Sequence, residues 1–282
     1  MSISQSALLV ELNISVWPAT KVDKDITDSV NANASAVRDA SQTKKNLFAG
    51  TGARKEIEKF AARARLYHNQ HTLPWADKGE RLLPTKLVME YLSTIKNYEN
   101  TFNSMCINFF SDYDRLVAEA PLHLGSMYKA SDYPSLDEVR NKFGFRRSVN
   151  PLPESGDFRL DIPSADLEEL KADYETKFEE RLADAMKAPW DKLHKVLTDM
   201  SEKLKDNGDE KKRFHDTFVS NPVELCELLT KLNITNDPKL EQARQDLERT
   251  MMGVHIEAIK EDGYEREQLK SKVDSILNKF NW

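Results

Sequence analysis

Few residues in this chain are spaced for chemistry. Of six histidines only His68 and His71 lie close together. At i and i+3 of a helix they share a face, from which two imidazoles can hold a divalent metal. No Glu follows the first His and no third ligand stands nearby, so the plain reading is two histidines bonded locally at a helix end. Gly50-Thr51-Gly52-Ala53-Arg54-Lys55 runs into a helix, where free amides favour anions. The Gly-Lys-Ser/Thr ending of a phosphate loop is missing and no apolar strand precedes it, so a plain loop and helix start is preferred. GxSxG, HExxH and CxxC do not occur. Asp112 with Asp114, and Glu179 with Glu180, do not stand out from a charged helix surface. Cys106 and Cys226 sit among apolar helical neighbours and read as buried thiols of a reducing compartment. Neither a cofactor, a metal nor an enzymatic activity is expected.

Charge gives a second class of chemistry. Residues 1–162 hold 21 basic and 20 acidic side chains, whereas residues 163–282 hold 20 and 27. Phosphate repels the acidic half, so any nucleic-acid site belongs to the first half. Residues 38–65 carry eight bases against three acids, with Lys44, Lys45, Arg54 and Lys55 as candidate phosphate contacts. Phe143-Gly144-Phe145-Arg146-Arg147 mixes rings with cations, as single-strand binders do. Arg146 and Arg147 complete that candidate set. The plain reading is a strand whose alternate aromatics face a core and whose cations form its rim.

The elements that position these residues follow from periodicity. Val10, Leu12, Ile14 and Val16 alternate with polar residues and predict a half-buried strand ended by Pro18. Residues 19–50 are polar, with a short helix near 25–40. Ile57, Phe60, Ala61, Ala64, Tyr67 and His71 predict an amphipathic helix over 53–72. Pro74, Gly79 and Pro84 mark a loop. Leu87, Tyr91, Ile95, Tyr98, Phe102, Met105, Phe109, Tyr113 and Leu116 then recur at steps of three and four. That seam spans roughly 50 Å as a helix, longer than a compact core needs, so it predicts a helical hairpin or coiled coil with 53–72 as first partner. Its surplus length, with Trp75, Tyr91, Tyr98 and Phe102, suggests a protein interface.

Pro121 and Pro134 predict short helices near 122–130 and 135–142. Strands follow at Phe143–Phe145 and Asp157–Ile162, with a turn-rich link at 148–156. Ser164 is a candidate N-cap. Leu167, Leu170, Tyr174, Phe178, Leu182, Met186, Trp190, Leu193, Leu197, Met200 and Leu204 make a second seam, in which Pro189 predicts a kink or split. Asn207-Gly208 ends it. Further helices are expected at 210–219, 222–233, 238–260 and 264–280. The fold class is therefore mainly α with a small antiparallel β-sheet (α+β), divided as 1–162, with the hairpin inserted after the first strand, and an acidic helical region, 163–282. With 39% apolar and 31% charged residues and nine Gly in 282, a β-sandwich and a wholly disordered chain are excluded. No apolar stretch reaches bilayer length, and the N-terminus lacks a signal-peptide pattern.

The strand Leu9–Trp17, the helix with Arg63-Ala64-Arg65, the Leu73-Pro74-Trp75 turn, Arg81-Leu82-Leu83-Pro84, the long helix with Phe102, Phe109 and Tyr113, and Phe143-Gly144-Phe145 together resemble an uncharacterised family of bacteriophage and prophage proteins, over residues 8–165. Its members are often encoded near a MoxR-type AAA+ ATPase and a von Willebrand A-type protein. The resemblance implies a phage origin, a host cytoplasm and no established catalytic residue. The leading expectation is a non-enzymatic protein acting through protein contacts, as adaptor of an AAA+ ATPase or with a second copy of itself. A single-stranded nucleic-acid binder is the alternative, and a metal enzyme built on His68 and His71 the third.

Overall fold

The computed structural model describes residues 3–76, 79–154, 164–205, 214–280 and 282, with backbone alone at 164 and 165. In order it contains β1 (Ala7–Ser15), β2 (Thr20–Val22), α1 (Lys24–Asn33), β3 (Lys44–Asn46), α2 (Ala53–His71), β4 (Leu73–Pro74), β5 (Arg81–Pro84), α3 (Val88–Leu124), α4 (Leu136–Arg140), β6 (Gly144–Pro151), α5 (Ser164–Leu204), α6 (Thr217–Leu232), α7 (Pro238–Met251), α8 (Ile256–Glu261) and α9 (Gly263–Lys279). The protein is mainly helical with small antiparallel sheets, as the periodicity predicts. It divides into two compact units. One comprises Met1–Glu11, Asn69–Glu90 and Ser148–Trp282, the other Leu12–His68 and Tyr91–Arg147. The division does not fall at residue 162, because β1 draws an intervening segment to itself. Ala7 to Val10 pair antiparallel with Pro84 to Arg81, and Leu73 pairs with Leu82.

The main sheet has the order β4-β5-β1-β6. β4 and β5 replace the expected loop. They are only two and four residues long, and each ends in a proline, which hides them from pattern reading. β6 runs through the stretch expected to turn. Among the described strands it lies at the edge of the sheet, a position where a proline such as Pro151 is tolerated. The strand expected at 157–162 lies outside the described residues, as does the Asn207-Gly208 stop. β2 and β3 form a second small sheet within the expected polar loop.

In the unit built on α3, α2 runs antiparallel to it. Tyr67 packs on Tyr91 and Tyr98 at ring distances of 6.1 and 5.8 Å, and Phe60 on Tyr98 at 5.4 Å. α2 has 19 residues and α3 has 37, so α2 covers only the first part of the seam. The rest is covered by pieces from elsewhere in the same unit. Phe48 meets Phe109, Tyr113, Trp17 and Tyr133 at 5.7 to 5.9 Å, and Phe143 meets Phe109 at 5.5 Å. The seam is one unbroken rod, but its surplus length is already covered by this chain.

In the other unit, the second half of α5 (Leu193, Leu197, Met200, Leu204) packs with α6, α7 and α9 around Leu229, Leu247 and Val273. Three prolines stand elsewhere than expected: the sequence pattern has Pro121 separate two helices, Pro189 kink or split one, and Pro222 open the helix over 222–233. Pro121, Pro189 and Pro222 all lie inside helices. Each removes one ladder bond, and Pro189 and Pro222 bury their rings in return. Conversely, the helix expected over 238–260 breaks after Met251. Gly253 takes φ +74°, outside helical space, and leaves an extended link to α8.

Two outcomes follow. Phe102 is 1% exposed and Met89 82%. Phe102→Ala should cost about 3–5 kcal/mol and Met89→Ala within about 0.5 kcal/mol, read from urea midpoints. Burial pushes the Cys106 thiol up to about 12 and Cys226 up to about 11. Native protein at pH 8 should therefore leave Ellman's reagent unreacted, and both thiols should titrate once guanidinium unfolds it.

Candidate interaction surface

The six candidate nucleic-acid cations share one unit but not one task. Lys45 is only 5% exposed. Its ammonium lies 2.8 Å from Asp132 and 3.4 Å from Asp23, and donates to the Met127 carbonyl. It is an internal strut pinning β3 to the start of α1 and to the turn after α3, not a phosphate contact. Arg54 pairs with Glu58 at 2.9 Å, and Arg147 stands 4.0 Å from Glu99. Lys44, Lys55 and Arg146 are exposed.

The aromatic candidates are largely internal. Tyr91 and Phe102 are 2% and 1% exposed, within the packing around α3. Tyr98 is half-buried between Phe60 and Tyr67. Trp75 is 8% exposed and packs edge-on against Phe178 of α5 at 5.1 Å. Tyr91, Phe102 and Trp75 therefore offer a partner almost no surface, because each is a core ring of its own unit. His68 is buried as well, its Nδ1 2.7 Å from the Tyr91 hydroxyl. Among the described residues no three His, Cys, Asp or Glu come together in a metal-binding group.

One perturbed amine has a structural explanation. Lys192 donates to the Gln70 and Asn69 carbonyls at 2.5 and 3.4 Å. Burial, and Arg81 beside it, push its pKa down to about 8. Arg81 in turn donates to Thr72 Oγ1 at 2.6 Å. Two cations thus close the carbonyl end of α2, where the helix dipole favours positive charge.

Among the described residues, α5 carries a half-covered apolar face. Its stripe enters the core cluster only from Met186 onward. Upstream, Leu167, Tyr174, Phe178 and Leu182 are half-buried and Leu170 is 41% exposed. Trp75 braces this part through Phe178, and the Tyr174 hydroxyl donates to the Pro153 carbonyl at 2.7 Å. Between Pro74–Ala76 and Arg181–Ala185 lies a small pocket of about 210 Å³. Sequence reading found this stripe but assigned the partner-facing surplus to α3. Residues 166–184 carry eight acids and three bases. Some are paired along the helix, Glu168 with Lys171 at 2.9 Å and Asp184 with Lys187 at 2.7 Å. The arrangement is a narrow greasy stripe between strongly acidic flanks.

No protein-family model, curated protein or solved structure matches the chain. No helix among the described residues is long and apolar enough to cross a membrane.

The Lys45 cluster gives a pH prediction. Asp23 is held below the ordinary carboxylate range, first by the Ile26 amide it caps and then by Lys45 and Lys129, against the opposing effect of burial. Between its folded pKa and about 3.9 the folded state binds fewer protons than the unfolded one. Asp23 therefore stabilises the fold above that window, and the contribution is lost as pH falls through it. Lys45→Met removes one source of the shift. Its acid unfolding, followed by near-ultraviolet circular dichroism, should begin at higher pH than in the wild type.

Proposed function

We propose that the chain is a non-enzymatic protein that works through protein contacts, with the first half of α5 as its contact face. The observation that carries this reading is the half-covered stripe from Leu167 to Leu182 on a helix whose second half is fully packed. Apolar side chains left between charged flanks are the usual anatomy of a helix that docks in another protein. Charge selects the partner. A second copy would set a net −5 stripe, eight acids against three bases, beside its like. A different protein with a basic face suits it better. In the phage setting that the resemblance implies, an AAA+ ATPase or its associated proteins are the partners to look for first.

The test is Leu167→Glu with Leu170→Glu, the first at a half-buried and the second at an exposed position near the start of α5. Helical circular dichroism should be unchanged. Tagged wild type should capture a stoichiometric partner from phage-carrying bacteria, and the double variant should lose it at least tenfold. Equal capture by both forms, or none by either, would sink the proposal. Self-association that the variant abolishes would replace the foreign partner with a second copy.

A further inference from the structure

The break after α7 makes a second surface. The extended link through Gly253 runs alongside the first half of α6 and leaves a trough of about 400 Å³. Val219 and Val223, one turn apart on α6, form one wall, and Val254 and Ile256 the other. Val223 is 43% exposed, and Met252 at the lip is 74% exposed. Asp216 and Glu224 stand at the two ends of the α6 wall, about 12 Å apart along the helix at 1.5 Å per residue. Asp216 occupies the N-cap position of α6, yet its side chain caps nothing. The nearby Lys260 bonds Glu257 at 2.9 Å instead. Among the described residues neither Asp216 nor Glu224 forms a salt bridge, while the acids on the neighbouring α7 are paired to Arg244, Arg249 and Lys279.

We infer that this trough docks a basic amphipathic helix from another protein. Two aliphatic side chains one turn apart enter between the valines and Ile256. Lysine or arginine residues about two turns apart meet Asp216 and Glu224. Size and polarity set the first requirement and charge the second. An acidic helix is repelled by both ends of the trough. A second copy is disfavoured because the chain as a whole carries −6. The site lies on α6 and the α7–α8 link, apart from the α5 face, and does not rest on the function proposed for that face.

The experiment uses the full chain and two synthetic helices, each with a leucine pair on one face, one flanked by lysines and the other by glutamates. Fluorescence anisotropy at low salt should show the lysine helix binding and the glutamate helix at least tenfold weaker. Val223→Glu, at an exposed position, should weaken the lysine helix about tenfold or more, as loss of a buried anchor does. Asp216→Lys with Glu224→Lys should reverse the preference between the two helices. Leu167→Glu with Leu170→Glu should leave this binding unchanged, which separates it from the α5 face. Lysine-helix affinity indifferent to Val223→Glu and to the charge reversal would reveal general attraction to an acidic protein and overturn the proposal. So would absence of binding, or wild-type self-association abolished by Val223→Glu.

Discussion

A helix of 37 residues with an apolar stripe along its whole length cannot stand in water, and the arrangement of its unit follows from covering α3. α2 is about half as long and reaches only the first turns. The remaining stripe gathers Trp17, Leu47 and Phe48 from before α2, and Tyr133, Val139 and Phe143 from after α3. Offset and edge-to-face ring pairs of this kind contribute about 0.5–1.5 kcal/mol each beyond burial. Polar segments otherwise destined to be loops are thereby drawn against the rod. Their polar groups then need partners. Lys45 finds Asp23, Asp132 and the Met127 carbonyl, and the Tyr133 hydroxyl finds the Leu47 carbonyl at 2.8 Å. The buried ion cluster is a consequence of covering the stripe. Its own net worth is smaller than its intimacy suggests, because desolvation opposes the Coulomb attraction.

α5 has the same periodicity and the opposite outcome. The difference lies in what flanks the stripe. α3 carries rings at Tyr91, Tyr98, Phe102, Phe109, Phe110 and Tyr113, a broad face that recruits its own cover. The first half of α5 carries a narrower stripe between 11 charged side chains over residues 166–184. A narrow stripe with solvated flanks is tolerable half-exposed, whereas a broad aromatic one is not. Length alone therefore does not separate a seam covered by its own chain from one left half-covered, whereas flanking charge separates the two.

Periodicity made the long elements legible: β1, α2, α3, α5 and α9 stand close to where alternation and 3.6-residue spacing put them. Punctuation was less reliable. Pro121 reads as a boundary, Pro189 as a kink or split and Pro222 as a helix start, but all three lie inside helices, because a single lost hydrogen bond is a local cost that packing on both sides of the residue outweighs. Gly253 carried the true break and was masked by apolar neighbours on each side. The candidate sites were harder. Lys45 looks like its neighbour Lys44 in the sequence, since nothing local announces that Asp132 arrives 87 residues later. Trp75, Tyr91 and Phe102 pose the same difficulty, because a core ring and an interface anchor have the same local surroundings.

The distribution of committed and uncommitted polar groups orders the functional readings. Among the described residues several groups suited to chemistry are occupied. His68 meets Tyr91, Lys45 two carboxylates, Lys192 the end of α2, and both thiols are buried in apolar surroundings. Acidic side chains lie outside, beside the apolar stripe on α5 and at the ends of the α6 trough. Carboxylates there are solvated in the free protein and lose little by exchanging water for a partner's cation. On the docking roles proposed for these surfaces, the adjoining apolar area would supply affinity and the acids would select the partner. One unit therefore keeps acidic side chains beside apolar surface on α5 and α6, while the other unit's rings are turned inward around α3.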